Sequence, residues 1–414
     1  MGEPIRVLHF ADLHIGIEGY GRLDPQTGLN QRVLDFVTRL KEIVDYAIEH
    51  QADAVIFAGD AFKTREPNPT YQRAFARQIM RLSRARIPTV LLVGNHDMPI
   101  IETRATALDI FATLDVPYVV VGREEAVHQL ETHHGLLQVA TVPWPQRSRL
   151  LKLDEYRSLS AEQLDQELER TLRLEIERLA NLLDPRTPAI LTAHFSVSGA
   201  TYGSERFIML GQDVVLKQES LCLSAWDYVA MGHIHRHQVV NPGQYPSVVY
   251  SGSPERVDFG EADQAKGFCW VEVARGETRW SFVPLHARAF VTIDVDATDE
   301  ENPTEAALRA IQRRDVTDAI VRVRVRMRSE QEALFNARAV ERALSGAHAV
   351  AGIGREVIRE ARSRLGINNP ERLTPEQLLE QYFVSRNTPP ERIRELLELA
   401  RPLLQEGGLP DQAA

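Results

Sequence analysis

The sequence predicts an α/β protein with a parallel sheet at its centre and a second sheet packed against it. Three observations lead there. Ala54-Val55-Ile56-Phe57-Ala58, Thr89-Val90-Leu91-Leu92-Val93 and Ala189-Ile190-Leu191-Thr192-Ala193 are short apolar runs without polar alternation, as strands buried on both faces require. Between the first strands lie stretches with apolar residues at helical spacing. The strands then end in Asp, Asn or His, at the carboxyl edge where open α/β sheets keep their chemistry.

In chain order, the alternating strand Arg6–Ala11 runs into Asp12-Leu13-His14, and residues two apart in an extended segment share a side. Val33, Phe36, Val37, Leu40, Ile43, Val44 and Ala47 mark a helix. The strand Ala54–Ala58 closes on Gly59-Asp60. A second helical stretch (residues 70–84) leads to Thr89–Val93 and the tetrapeptide Gly94-Asn95-His96-Asp97. This is a βαβαβ unit with right-handed crossovers. Leu136–Val142 is a strand entering Pro143-Trp144-Pro145, and a Ser160…Gln163 capping box opens a helix over 160–183. Ala189–Ala193 ends on His194, and Tyr228–Met231 ends on Gly232-His233-Ile234-His235. From Tyr250 to Val283 the chain is β-rich.

Near residue 287 the character changes. Ala289–Val295 reads as a strand, and Asn302-Pro303-Thr304-Glu305 starts a helix with Pro at its first position. Ile320–Arg328 alternates strictly, and Ser329…Glu332 caps a helix to residue 344, which makes a small βαβα unit. Thr374-Pro-Glu-Gln and Thr388-Pro-Pro-Glu announce two C-terminal helices with apolar stripes, after a polar, hinge-like stretch over 356–373. The expected organisation is therefore a catalytic domain over 1–286, a small α/β domain over 287–355, and a linker with C-terminal helices over 356–408. The final residues Leu409–Ala414 read as a frayed end.

Composition narrows the class. The 414 residues are 43% hydrophobic and 26% charged, ordinary for a soluble protein. Cys222 and Cys269 are too few for a disulfide scaffold or a thiolate zinc site, and read as buried thiols of a reducing cytoplasm. The first residues enter a strand without a signal-like apolar core, and no run of about 18 apolar residues occurs, so no membrane span is expected. A net charge of −10 argues against nucleic acid, but carboxylates that hold metal count as negative until the metal is added.

Asp12, His14, Asp60, Asn95, His96, His194, His233 and His235 form the candidate site. Carboxylate, amide and imidazole without thiolate suit manganese, iron or zinc. The set is too large for one ion and suits two, which can clamp a phosphoryl group and activate a water. Any one of these histidines, taken singly, reads more readily as a solvated or core residue than as a ligand. Their coincidence with successive strand ends carries the metal reading.

In this order, DLHIG, GDAF, GNHD, AHF and GHIH resemble the signature of the calcineurin-like metallophosphoesterases. The longer phrases WDYVAMGHIH, YSGSPERVDFGE and KGF resemble the SbcD-type nucleases of DNA double-strand-break repair, the bacterial counterpart of the meiotic-recombination-eleven nuclease. The resemblance is close from residue 5 to about 285 and looser beyond. It implies a four-layer metallophosphoesterase sandwich of two mixed β-sheets flanked by helices, with a capping domain and C-terminal helices. It implies two divalent ions, manganese first among them. Asp12, His14 and His235 would hold one ion, Asn95, His194 and His233 the other, and Asp60 both. His96 would act on the leaving oxygen without binding metal, with Asp97 placed to orient its imidazole. Many relatives have a His three residues after the bridging Asp, where this chain has Lys63, so that position's contribution is in doubt. The implied activity is 3′–5′ exonuclease on duplex DNA and endonuclease on single strands and hairpins. The implied partners are an SbcC-type ATPase, DNA and a second copy of the chain, in the cytoplasm at the nucleoid.

Two features stay open. Arg322, Arg324, Arg326 and Arg328 share one strand face, which reads either as a solvated face that discourages edge pairing or as a phosphate-backbone contact. A phosphatase or small-molecule phosphodiesterase would use the same metal ligands, so the ligands alone do not choose the substrate.

Overall fold

A computed structural model describes residues 3–99, 101, 104–146, 159–203, 214–359 and 373–406. Most of the polar stretch expected over 356–373, and the chain end Leu409–Ala414, lie outside these residues. The chain divides into two compact units: Met1–Ile293 with Ile311–Val323 and Glu341–Ile353, and Asp294–Ala310 with Arg324–Val340 and Gly354–Ala414.

The first unit opens with β1 (Ile5–Phe10), α1 (Gln31–Glu49), β2 (Ala54–Phe57), α2 (Pro69–Arg84) and β3 (Thr89–Leu92). There follow α3 (Asp109–Thr113), β4 (Val119–Gly122), β5 (Ala126–Thr132), β6 (Gly135–Val142), α4 (Ala161–Asn181) and β7 (Ala189–His194). Next come β8 (Ser196–Val197), β9 (Val215–Leu216), β10 (Tyr228–Gly232), β11 (Gln238–Val239), β12 (Ser247–Tyr250), β13 (Gly267–Ala274) and β14 (Glu277–Pro284). Two six-stranded sheets result, in the orders β14-β13-β1-β2-β3-β4 and β11-β12-β10-β7-β6-β5. Both are mixed. β1 to β4 run parallel with β13 antiparallel beside β1, and β6, β7, β10 and β12 run parallel between antiparallel edges.

Period-two alternation sorts the core into layers. Leu8, Phe10, Val55, Phe57 and Leu91 pack on Val33, Phe36, Leu40, Val44, Phe75 and Ile79 of α1 and α2. The intervening Val7, Ala54, Ile56 and Val90 face Val139, Ile190, Ala230 and Val249 of the second sheet. On that sheet's outer face, Leu191, Val229 and Met231 meet Leu172, Ile176 and Leu179 of α4. Helices, sheet, sheet and helix form four layers, as the fold class required. Both central sheets are covered on both sides, which explains their unalternating apolar runs.

The remaining elements are β15 (Phe290–Asp296), α5 (Pro303–Gln312), β16 (Ile320–Arg328), α6 (Ala337–Ala343) and β17 (Ala349–Ile358), with the strands in the order β15-β16-β17. Two details differ from expectation. The helix expected from Ser329 to 344 is broken into a 3-10 turn, Ser329–Leu334, and α6, and β17 was not anticipated. Gly352 and Gly354 sit inside β17 and dilute its strand signal. In the second unit, α7 (Pro375–Ser385) and α8 (Pro390–Glu406) are joined by an Arg401–Glu376 ion pair. The capping box of α7, Thr374 with Gln377, is formed. Among the described residues, no helix is long and apolar enough to cross a membrane.

Candidate metal centre

The site lies at the carboxyl ends of β1, β2 and β3 in one sheet and of β7 and β10 in the other. Sharp turns place its donors. Asp12, His14, Asp60 and His233 all adopt positive φ (56°, 46°, 62° and 96°). That region is costly for a residue with a Cβ, and such strain concentrates at functional sites. Gly59 has φ 99°, and a Cβ there would run into the imidazole of His194.

Backbone amides hold the carboxylates across the interior. The His233 N–H donates to both oxygens of Asp12 at 3.0 and 3.1 Å, joining the β10 turn to the β1 turn. The His96 N–H donates to Asp60 Oδ1 at 2.8 Å. Carbonyl and carboxylate acceptors set the imidazole tautomers. His194 Nδ1–H donates to Ala58 O at 2.7 Å, and His235 Nδ1–H to Glu261 at 2.6 Å, so each turns Nε2 into the site.

The donors converge. His14 Nε2 and His235 Nε2 are 2.9 Å apart, His194 Nε2 is 3.3 Å from Asp60 Oδ2 and 3.0 Å from Asn95 Oδ1, and His233 Nδ1 is 3.2 Å from Asn95 Oδ1. Ligand atoms of Asp12, His14 and His235 lie within 4.8 Å of one another, as do those of His14, Asp60 and His96 and those of Asp12, Asp60 and His194. Two nitrogens 2.9 Å apart match the separation of two ligands on one ion at about 2.1 Å each. All of these donors are buried except Asn95 and His96, which are partly exposed.

Electrostatics point the same way. Burial pushes Asp60 up, but the imidazoles of His194, His96 and His14 outweigh it and hold the carboxyl well below its usual range. Burial opposes the charging of His194, yet Asp60 and Asp12 raise it to about 9. Asp12 goes the other way: burial raises it despite His194 and His235. Burial, with His96 and His235 close by, keeps His14 neutral. A divalent cation held among these groups would favour the ionised form of both carboxylates and the neutral form of the imidazoles. The residues therefore fit the divalent ions that the donor set requires.

One expected role is corrected. Asp97 does not orient the His96 ring. Its buried carboxylate accepts the N–H groups of Asp60, Ala61 and Gly94 at 2.9, 3.0 and 3.2 Å, and that of Phe62 at 3.3 Å. The inward turn of Asp97 makes it the clamp of the Asp60 loop. Burial and Asp60 raise its carboxyl to about 6 against those amides. His96 is instead steered by Lys63, whose backbone carbonyl accepts from His96 Nδ1–H at 2.8 Å. Lys63, whose contribution the sequence left in doubt, thus meets His96 through its main chain. Two residues stand inside phrases that carried the resemblance but were given no role there: Glu261 and Lys266, buried behind His235 at a Nζ to Oε2 distance of 2.8 Å. Glu261 ends YSGSPERVDFGE and Lys266 begins KGF, so the signal was present without the role.

The arginine row carries its own counter-charges. Arg324 pairs with Asp294 through two bonds of 2.5 and 2.8 Å, Arg328 with Asp299 at 2.7 Å, and Arg326 with Glu356 at 3.6 Å. Arg322 lies 4.2 Å over the Phe259 ring and donates to Thr292.

A fold with carboxylates, an amide and imidazoles gathered at the ends of two stacked sheets defines a metal-dependent phosphoesterase. The calcineurin-like phosphoesterase model matches residues 5–237. The chain is 30% identical over 292 residues to the SbcD component of the nuclease SbcCD of Bacillus subtilis (strain 168), covering 68% of this chain and 70% of that protein. The SbcD component of the Escherichia coli (strain K12) nuclease is 29% identical over 280 residues, 66% of each chain. The DNA double-strand break repair protein Mre11 of Thermoplasma acidophilum is 26% identical over 317 residues, 74% of this chain and 73% of that one. The chain belongs to the calcineurin-like phosphoesterase family, on its SbcD-type branch.

Proposed function

We propose that this protein is a manganese-dependent DNA nuclease that trims duplex ends 3′–5′, nicks single strands and hairpins, and works with an SbcC-type ATPase. One observation carries the reading: donors from five strand ends of two sheets converge within hydrogen-bond distance of one another. Asp12, His14 and His235 would hold one ion and Asn95, His194 and His233 the second, with Asp60 serving both. When bound, the two ions neutralise the phosphodiester and activate the attacking water.

The chain's own groups do the rest. His96 is partly exposed, with Nδ1–H committed to Lys63 O, so its Nε2 faces the cleft and, in the imidazolium form, donates a proton to the departing sugar oxygen. Asp97 keeps the Asp60 loop in its strained conformation. Residues 287–355 act as a cap over bound DNA. Residues 356–408 dock on the ATPase, a role that the exposed Val384, Leu399 and Leu403 of α7 and α8 support (52%, 71% and 71% exposed). The working form is a homodimer in the cytoplasm.

The test is manganese-dependent cleavage of free and blocked duplex ends, hairpins and a nucleotide phosphodiester, with and without the partner ATPase and ATP. End-dependent duplex cleavage is expected. Hydrolysis confined to the small diester would replace this reading with a small-molecule phosphodiesterase.

A further inference from the structure

Behind the metal centre lies a charged group that none of the roles above employs. Glu261 is fully buried, at the end of the 3-10 turn Phe259–Glu261. Its Oε1 accepts from His235 Nδ1–H at 2.6 Å, and its Oε2 accepts from Lys266 Nζ and from the Val257 N–H, both at 2.8 Å. Lys266, equally buried, donates also to His235 O at 3.1 Å, Ser253 Oγ at 2.7 Å and Gln264 Oε1 at 3.0 Å. The same ammonium thus holds both the backbone of His235 and the carboxylate that holds its ring.

A buried ion pair of this kind is a poor way to stabilise a fold, since an apolar pair of similar volume is often as good or better. Its position suggests another use. His235 presents Nε2 to the cluster, 2.9 Å from His14 Nε2, and can bind a cation there only while its proton sits on Nδ1. A carboxylate on Nδ1–H selects that tautomer and raises the basicity of the opposite nitrogen. Lys266 in turn keeps the carboxylate ionised, and therefore an acceptor only. The turn is pinned from outside: Phe259 meets Phe290 edge-on at 5.0 Å and Tyr20 at 5.9 Å, beneath the Arg322 guanidinium.

We propose that Glu261, locked by Lys266, is a positioning residue that fixes the His235 tautomer and so sets the affinity of one of the two metal sites. This rests on the reading of His235 as a metal donor, and the experiment separates the two. Two double variants of the full chain are compared with wild type: Glu261→Leu/Lys266→Met, which removes acceptor and charge, and Glu261→Gln/Lys266→Met, which keeps a neutral acceptor. Mn2+ binding is titrated, and the His235 tautomer is read in metal-free protein from long-range 1H–15N spectra.

The Leu/Met variant is expected to weaken one Mn2+ site about 10–100-fold while sparing the other. Its His235 shifts away from the Nδ1–H form, with melting of the metal-free chain little changed. The Gln/Met variant falls between, and decides alone if the Leu/Met chain does not fold. An unchanged tautomer, or unchanged affinity at both sites, overturns the role of Glu261. Wild type that binds fewer than two ions defeats the metal-donor reading instead, and the tautomer alone then judges whether Glu261 positions His235.

Discussion

The metal cluster and the arginine row of β16 were both marked by a regular pattern of polar residues on strands, and the structure treats them oppositely. In the cluster, all donors but the partly exposed Asn95 and His96 are buried, and they are held by backbone amides and carbonyls and crowded so that carboxylates and imidazoles shift one another. In the row, three of the four guanidinium groups point to solvent and face an acid on a neighbouring segment. The difference teaches that a sequence pattern reports placement, whereas the partners across the fold decide whether a group is available for chemistry.

The largest effect that can sharpen this contrast concerns His96. His96→Ala is expected to lower kcat by about 10²–10⁴ with metal content unchanged, because its contribution is proton transfer. Asn95→Ala should weaken one metal site instead. Metal analysis beside a cleavage assay checks both, and metal loss from the His96 variant would place that residue among the ligands. Asp97→Asn removes charge from an acceptor of several amides and should cost about 2–3 kcal/mol of stability, measured by denaturant unfolding. An Asp97→Asn chain as stable as wild type would show that the Asp60 loop holds itself.

Burial versus exposure can also be separated by pH. Burial raises Glu255 to about 7 against the pull of Arg32 and the Arg256 N–H. A carboxyl raised in the folded state contributes stability that is complete below its ordinary value near 4.5 and is lost as pH rises through 7. Wild type should therefore lose about 2–3 kcal/mol over that window relative to Glu255→Gln. The smallest effect belongs to the arginines of β16. Replacing all four by Gln should change the logarithmic salt slope of DNA binding by less than about one, since acids already face Arg324, Arg326 and Arg328, and Arg322 is engaged by the Phe259 ring and Thr292. A fall of about three to four would mean that each neutralises a phosphate.

Much of this was legible in the sequence. The buried strands announced themselves by apolar runs, and Asp12, His14, Asp60, Asn95, His194, His233 and His235 by standing at strand ends, a local feature. What escaped depended on distant partners. The bond from the His233 amide to Asp12 spans 221 residues, and Asp97 serves amides 35–37 residues away rather than its neighbour His96. Glu261 and Lys266 became meaningful only when the fold set them behind His235. The acids that quiet the arginine row lie on other segments, at Asp294, Asp299 and Glu356.

The central claim is that seven side chains from two sheets make one two-ion site joined by Asp60. The most direct measurement is the number of Mn2+ ions bound per chain, by equilibrium dialysis with metal analysis, for wild type and Asp60→Asn. The expected result is two ions in wild type and weakened binding of both in the variant, with phosphodiester cleavage falling by about 10³-fold or more as several kcal/mol of transition-state stabilisation are lost. A single ion in wild type, or two ions held as tightly without the Asp60 charge, would contradict it.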